Sequence, residues 1–194
     1  MTGTGPSSPV STGAAPLTAP IDEIVASRLR DVPDFPVSGV MFKDFTPLLS
    51  DGPALRAVVQ DISSRYAGQV DVVVGIEARG LILGAAVAYD LGVGFVPVRK
   101  AGKLPGQTHS AEYTLEYGSA VIEVHADAFA SGKRALIMDD VLATGGTAEA
   151  ACELVERAGA SVEAVEVVLE LCFLNGRSKL SGRPFHAMLS VQGP

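Results

Sequence analysis

The chain has 194 residues, of which 47% are hydrophobic and 19% charged, and its formal net charge is −7 at pH 7. This length and composition are typical of one soluble globular domain with a substantial core. The acidic balance argues against nucleic acid or an anionic membrane as the main partner. The longest apolar run, residues 81–91, contains Gly84 and Asp90 and is too short to span a bilayer.

Residues 1–20 consist mainly of Gly, Ser, Thr, Pro and Ala, and they lack the basic and apolar regions of a signal peptide. We therefore expect a disordered N-terminal tail over 1–20 and a single domain over 21–194. The two cysteines, Cys152 and Cys172, match no metal-binding spacing. Both are expected to be buried thiols rather than a disulfide, which indicates a cytoplasmic protein.

The ordered part of the chain alternates between helical and strand patterns. Helices are predicted over residues 21–29, 51–66, 80–91 and 148–159, and buried strands over 70–76, 93–98, 135–140, 162–171 and 185–191. Residues 113–116 and 120–125 flank a Tyr-Gly-Ser turn and predict an antiparallel hairpin. This order predicts an α/β fold, with a mainly parallel open sheet flanked by helices.

An aromatic, proline-containing segment covers residues 34–49 and includes Phe35, Phe42 and Phe45. Two prolines and a glycine argue against a regular helix through it. Two interpretations remain open. The segment either stacks an aromatic ring on a flat base or packs on the core as a hydrophobic lid.

Two further segments carry positive charge. Arg79 follows the strand at 70–76 and precedes a helix, where a guanidinium can clamp an anion or simply lie at the surface. Arg99, Lys100 and Lys103 lie among glycines and a proline, which predicts a mobile basic loop that runs into the hairpin. In an acidic chain this loop is the expected counter-charge for an anionic substrate, although lysines also guard exposed hairpin edges.

The most informative segment is residues 135–147. A buried strand ends in Asp139 and Asp140, a small loop follows from Ala143 to Thr147, and an Ala-rich helix then begins. Such a loop offers backbone N–H groups and a helix N-terminus to a phosphate. The carboxylates would repel that phosphate but accept hydrogen bonds from hydroxyl groups, so the pattern indicates a phosphorylated sugar at the strand ends. The alternative is an ordinary strand–loop–helix unit with acidic residues near the helix start.

The 135–147 segment resembles the phosphoribosyl pyrophosphate (PRPP) motif of type I phosphoribosyltransferases. Further motifs, at residues 34–49, 75–80, 99–105 and 115–118, occur in the order seen in the adenine-specific enzymes of that family. The resemblance covers residues 21–191. One departure is Lys43, where some members have Arg. Lysine keeps the positive charge but lacks the planar, forked guanidinium group of arginine.

The resemblance implies a small N-terminal hood, a flexible β-hairpin loop, and often a non-proline cis peptide near Arg79. It also implies transfer of the 5-phosphoribosyl group from PRPP to adenine, giving AMP and pyrophosphate, in a homodimer that uses Mg²⁺. No protein side chain is expected to ligate the metal directly, because PRPP and water supply most of its ligands.

The implied site residues fall into four groups. Ala143, Thr144, Gly145, Gly146 and Thr147 hold the 5′-phosphate, and Asp139 and Asp140 hold the ribose hydroxyls. The pyrophosphate is held by Arg79, Lys100 and Lys103, with Arg99 reaching in from a neighbouring subunit. Adenine lies against Val40, Met41, Phe42 and Lys43, with Glu116 as the general acid–base group and Tyr117 beside it.

Two alternatives to this function are kept. One is a phosphoribosyltransferase for another purine, xanthine or guanine, which needs a donor at O6 where adenine needs an acceptor for its amino group. The other is a PRPP-sensing regulator that binds DNA, against which the acidic balance argues.

Overall fold

A computed structural model describes residues 18–35, 37–114, 119–180 and 182–193. The predicted tail therefore lies outside the described residues, apart from 18–20. The helices are α1 (Ile21–Ala26), α2 (Thr46–Ser50), α3 (Gly52–Tyr66), α4 (Arg79–Leu91) and α5 (Gly146–Arg157), with 3₁₀ turns at Cys172–Leu174 and Gly176–Leu180. The strands are β1 (Arg30–Val32), β2 (Phe42–Asp44), β3 (Val72–Ile76), β4 (Gly94–Lys100), β5 (Thr108–Thr114), β6 (Ser119–His125), β7 (Arg134–Leu142), β8 (Ser161–Leu171) and β9 (Phe185–Val191).

Within these residues the main sheet has seven strands in the order β5-β6-β4-β3-β7-β8-β9. Five neighbouring strands, β4, β3, β7, β8 and β9, pair in parallel. Strand β6 pairs antiparallel with both β4 and β5. The mainly parallel sheet predicted from the sequence is thereby confirmed. A separate antiparallel pair, β1 and β2, builds the N-terminal hood beside it.

Apolar side chains cover both faces of the sheet. One layer packs α1, α2, α3 and α4 against the sheet, and it includes Phe45, Leu48 and Ile62. The other layer lies under α5 and includes Ile137 and Leu154. Strand β3 is buried along its whole length. This agrees with its continuous apolar sequence, which predicts a parallel strand covered on both faces.

Helix α4 lies unusually close to the strands that carry the site. A Cβ atom on Gly80 would lie 3.1 Å from both Cα and Oδ1 of Asp139, and one on Gly84 would lie 3.2 Å from Cα of Gly75. Glycine at these positions lets the helix backbone rest directly on β3 and β7. The start of α4, with Arg79, is therefore held against the acidic end of β7.

The basic segment differs from its prediction as a mobile loop. Arg99 and Lys100 end strand β4, where they pair with Glu123 and Ile122 of β6, and residues 108–114 form the edge strand β5. Only residues 101–107 lie outside strands, because the antiparallel pairing extends the hairpin further towards its N-terminus than the apolar pattern indicated. The hairpin pairing of β5 and β6 is confirmed, and residues 115–118 between them lie outside the described residues.

Other predicted elements agree within a few residues, with three differences. Helix α2, the hood strands and the 3₁₀ turns are too short to carry a periodic pattern. Helix α2 forms despite Pro47, because a proline in the first turn has no helical hydrogen bond to lose.

Both cysteines are free thiols, but only Cys152 is buried; Cys172 is half-exposed because it lies just beyond the end of β8.

A fully buried carboxylate joins three elements on one face of the sheet. Glu166 of β8 accepts hydrogen bonds from Arg65 Nη1 at 3.1 Å and Tyr66 Oη at 2.8 Å, both at the end of α3. His186 Nδ1 of β9 lies 2.9 Å from the same carboxylate. Burial raises the pKa of Glu166, and the hydrogen bonds from His186 and Tyr66 oppose that shift. The end of α3 is thus attached to the last two strands.

We expect Glu166→Ala to lower the free energy of unfolding by about 3 kcal/mol, because it leaves the partners of a buried charge unsatisfied. Urea and thermal unfolding would measure the loss. Glu163→Ala, at a half-buried position on the same strand, is the matched control and should change stability by no more than about 0.5 kcal/mol. Equal stability of the two variants would contradict the anchoring role.

Candidate active site

A cleft of about 360 Å³ opens where the carboxyl ends of β3 and β7 meet. This edge is where ligands bind in open α/β sheets. The cleft is lined by Glu77, Ala78, Arg79, Lys100, Asp139, Asp140, Val141, Leu142, Ala143, Thr144, Gly145, Thr147 and Ala148. The structure therefore brings together both acidic residues, most of the predicted phosphate loop, and two of the predicted cations.

The two adjacent carboxylates have different surroundings. Asp140 is buried and forms an ion pair with the Arg79 guanidinium. Asp139 accepts a hydrogen bond from the backbone N–H of Asp140 at 2.8 Å through Oδ1. Burial, and then the negative charge of Asp140, raise the pKa of Asp139 well above its usual range. The acid pair therefore combines Asp140, which is ion-paired with Arg79, and Asp139, which holds its proton more tightly than an ordinary carboxyl group.

The predicted phosphate loop, Ala143 to Thr147, overlaps helix α5, which begins at Gly146, two residues earlier than predicted. Gly145, at the helix N-cap, has φ of +80°, a left-handed conformation that favours glycine. No side chain caps this helix, so the N–H groups of its first turn face the cleft without a side-chain acceptor. With the dipole of a 12-residue helix behind them, these groups suit an anion.

Glu77 holds the Arg99 guanidinium and the Lys100 backbone beside the cleft. Its Oε2 accepts hydrogen bonds from Arg99 Nε and from the backbone N–H of Lys100, both at 2.9 Å. The Arg99 hydrogen bond lowers the pKa of Glu77. The Glu77–Ala78 peptide bond is cis, as the family resemblance implied. Lys103 is exposed on the turn at 101–107 and does not line the cleft.

The aromatic hood residues take different positions. Phe45 is buried in the core, whereas the Phe42 ring lies 5.5 Å from the Arg79 guanidinium carbon and 5.0 Å from the Phe35 ring. Val40, Met41 and Lys43 instead line a neighbouring groove of about 190 Å³, against residues 171–174. Lys43 Nζ lies 2.7 Å from Asp31 Oδ1 across the hood ladder. The core-packing interpretation holds for Phe45, whereas Phe42 lies beside Arg79 and its stacking on a base stays a prediction.

Some predicted site residues remain unplaced, and some lining residues were not predicted. Glu116 and Tyr117 lie outside the described residues, and Gly146 faces a different depression beside Glu112. Glu77, Val141 and Leu142 line the cleft but received no role from the sequence. A carboxylate directly after a buried strand was the available signal for Glu77.

Comparisons with known proteins agree on one family. A profile for the phosphoribosyl transferase domain matches residues 49–182. A curated relative, adenine phosphoribosyltransferase of Salinispora tropica, is 63% identical over 87% of this chain and 90% of its own.

Solved structures give the same result. Adenine phosphoribosyltransferase from Thermoanaerobacter pseudethanolicus is 45% identical, with a TM-score of 0.84 over 87% of this chain and 99% of its own. The Saccharomyces cerevisiae enzyme, solved with adenine and an imino-altritol bisphosphate, is 40% identical, with a TM-score of 0.83 over 87% of this chain and 98% of its own.

We expect Asp140→Asn to lower the pKa of Asp139. The substitution removes the adjacent negative charge and leaves Arg79 without its anionic partner, and both changes favour ionised Asp139. Titration of ¹³C-labelled carboxyl groups by NMR would measure the shift. Asp90→Asn, at an exposed position near the far end of α4, should leave the pKa of Asp139 unchanged. An unchanged or raised pKa in Asp140→Asn would show that the two carboxylates are not coupled.

Proposed function

The chain belongs to the phosphoribosyltransferase family, within the adenine phosphoribosyltransferases, and we propose that the cleft at the ends of β3 and β7 is where it transfers the 5-phosphoribosyl group from PRPP to adenine. The observation that carries the assignment is the arrangement of the cleft. An uncapped helix N-terminus lies beside two carboxylates and a guanidinium. In that order, these groups suit the 5′-phosphate, the ribose hydroxyls and the pyrophosphate of PRPP.

The phosphate end of PRPP would lie on the loop from Ala143 to Thr147. Backbone N–H groups of the first turn of α5 would donate to the 5′-phosphate, and the Thr144 and Thr147 hydroxyls would add further donors. The loop is placed for this by the left-handed Gly145, which turns the chain sharply into the helix. Gly146 contributes its backbone to the same turn.

The ribose would lie over the acid pair. Asp139 and Asp140 would accept hydrogen bonds from its 2′- and 3′-hydroxyls and lie near the positive charge that develops at C1′ as pyrophosphate leaves. Adenine N9 would bond to C1′ as the C1′–O bond to pyrophosphate breaks, and the N9 proton would pass to Glu116, the predicted general acid–base group. Fixed charges already in place before the reaction stabilise such a transition state most effectively.

The pyrophosphate would lie between Arg79 and Lys100, with Arg99 and Lys103 further out. Glu77 keeps Arg99 and the Lys100 backbone in position. Among the described residues, no group of three or more His, Cys, Asp or Glu side chains could hold a metal ion. We expect PRPP and water to supply most ligands of a Mg²⁺ ion, with Asp139 and Asp140 nearby. When bound, Mg²⁺ neutralises charge on the leaving pyrophosphate.

The base would stack on Phe42, whose ring already faces Arg79 at the mouth of the cleft. Backbone groups of residues 40–43 would read the Watson–Crick edge of adenine, leaving the Lys43 side chain with Asp31. Glu116 and Tyr117 remain the predicted groups beside the purine. We propose that the basic segment, residues 99–112, closes over bound PRPP as a lid; residues 101–107 of it lie outside strands.

We also propose a cytoplasmic homodimer. Both cysteines are free thiols, which suits a reducing compartment. Exposed apolar side chains on α4, Ile82 and Tyr89, offer a surface for a second copy. In the described part of the chain, the structure contains no helix of the length and apolar character needed to cross a bilayer.

The direct test is an activity assay with radiolabelled adenine and PRPP, repeated with unlabelled hypoxanthine, guanine and xanthine as competitors. AMP should form, and only unlabelled adenine should compete strongly. Stronger competition by a 6-oxopurine would assign the enzyme to that base instead.

Asp139→Asn and Asp140→Asn should each lower kcat/KM by roughly 10- to 1,000-fold, because each removes one fixed electrostatic partner of the transition state. Steady-state kinetics would measure this, and circular dichroism should show an unchanged fold. Asp90→Asn is the matched control and should retain full activity. Near-normal rates in both site variants would exclude the acid pair from the reaction.

Activity should disappear in EDTA and return when Mg²⁺ is added in excess. The free protein should bind Mg²⁺ only weakly by calorimetry, because the described residues offer two adjacent carboxylates and not a complete ligand set. Tight Mg²⁺ binding without PRPP would show that the protein holds the metal itself.

A further inference from the structure

The segment that joins β8 to β9 packs against the underside of the phosphate loop. It comprises the two 3₁₀ turns, Cys172–Leu174 and Gly176–Leu180, which no periodic sequence pattern predicts. A Cβ atom on Gly176 would lie 2.8 Å from the backbone N of Gly145 and 3.0 Å from the carbonyl carbon of Thr144. Conversely, a Cβ atom on Gly145 would lie 3.0 Å from Cα of Gly176. The two backbones are therefore in direct contact with no side chain between them.

This segment is fixed to the sheet beside Gly176. The Arg177 guanidinium donates to both carboxylate oxygens of Glu170, from Nε at 3.0 Å and from Nη2 at 2.6 Å. Its carbon also lies 4.7 Å from the centre of the Phe185 ring on β9. Glu170 is buried at the end of β8, so this forked ion pair links the residue after Gly176 to the sheet.

A second anchor lies further along the same segment. Leu180 is buried under α5, and Arg183 pairs through two nitrogen atoms with Glu156 of α5, each at 2.9 Å. The helix that begins at the phosphate loop is therefore attached to the same segment at both ends. Gly176 lies between the end of β8 and these anchors, which oppose its movement away from the loop.

We propose that Gly176 and Arg177 are positioning residues for the 5′-phosphate of PRPP: they set the position of the loop whose N–H groups bind that phosphate. This inference rests on the proposed placement of the phosphate on residues 143–147. An added methyl group at Gly176 would push the loop away from its present position. Displacements of about 1 Å at a binding group can cost roughly 100-fold in rate.

The loss of binding should be confined to the 5′-phosphate end of the substrate. The pyrophosphate side of the cleft is built from Arg79 and Lys100, which lie on α4 and β4 and do not depend on Gly176. Ribose 5-phosphate and pyrophosphate are therefore separate probes of the two ends, and comparing them distinguishes a displaced loop from a general loss of structure.

Calorimetry on the full chain would measure both ligands, with Mg²⁺ present throughout. We expect Gly176→Ala to raise the Kd of ribose 5-phosphate by at least about 10-fold and to change the Kd of pyrophosphate by less than about 2-fold. Gly52→Ala is the control, because a Cβ atom there meets nothing within 4 Å. It should bind both ligands as the unsubstituted chain does.

The proposal would be overturned if Gly176→Ala weakened the binding of both ligands equally, or if it left ribose 5-phosphate binding unchanged. If the unsubstituted chain does not bind ribose 5-phosphate, the placement of the phosphate on this loop fails, and the inference fails with it. Binding by the unsubstituted chain, together with unchanged binding by the variant, would refute the positioning role alone.

Arg177 supplies a second test if Gly176→Ala does not fold. Arg177→Ala should weaken ribose 5-phosphate binding about 3- to 10-fold, again without changing pyrophosphate binding. Arg177→Lys should not restore it, because one ammonium group cannot span both oxygens of Glu170. Normal ribose 5-phosphate binding in Arg177→Ala, or full recovery in Arg177→Lys, would contradict the role of the fork.

Discussion

The direct contact of helix α4 with strands β3 and β7 is the constraint on which the rest of the site depends. Gly75, Gly80 and Gly84 carry no side chains, so the backbone of α4 contacts β3 and β7 closely and its start lies beside the acidic end of β7. A guanidinium and two carboxylates then share one cleft. The positions of these charges are therefore set by the packing of the core.

Internal ion pairs balance much of the charge around the cleft. Arg79 is paired with Asp140, and Arg99 with Glu77. This arrangement avoids a concentration of like charge in a partly buried space. An anionic ligand that binds either guanidinium must therefore compete with a carboxylate of the chain, so part of its binding energy replaces interactions that already exist.

Much of this arrangement was predictable from sequence, and the exceptions have physical causes. The run from Ala135 to Thr147 combines a strand, an acid pair and a loop in one register, and the structure places them as predicted. The basic segment was assigned to a loop because glycines and charges obscure the pairing of β5, which only its partner strand reveals. Gly176 could not be recognised, because its contact with Gly145 joins residues far apart in the chain and carries no local pattern.

The Glu166 network has a consequence for synthesis of the chain on the ribosome. One parallel neighbour of β8, and one partner of the buried Glu166 carboxylate, come from β9, which is translated after β8. Until residues 185–191 leave the exit tunnel, β8 presents an unpaired edge and Glu166 lacks the imidazole that faces it. Nascent chains stalled before β9 are therefore more open to edge-to-edge association than chains in which the sheet is complete.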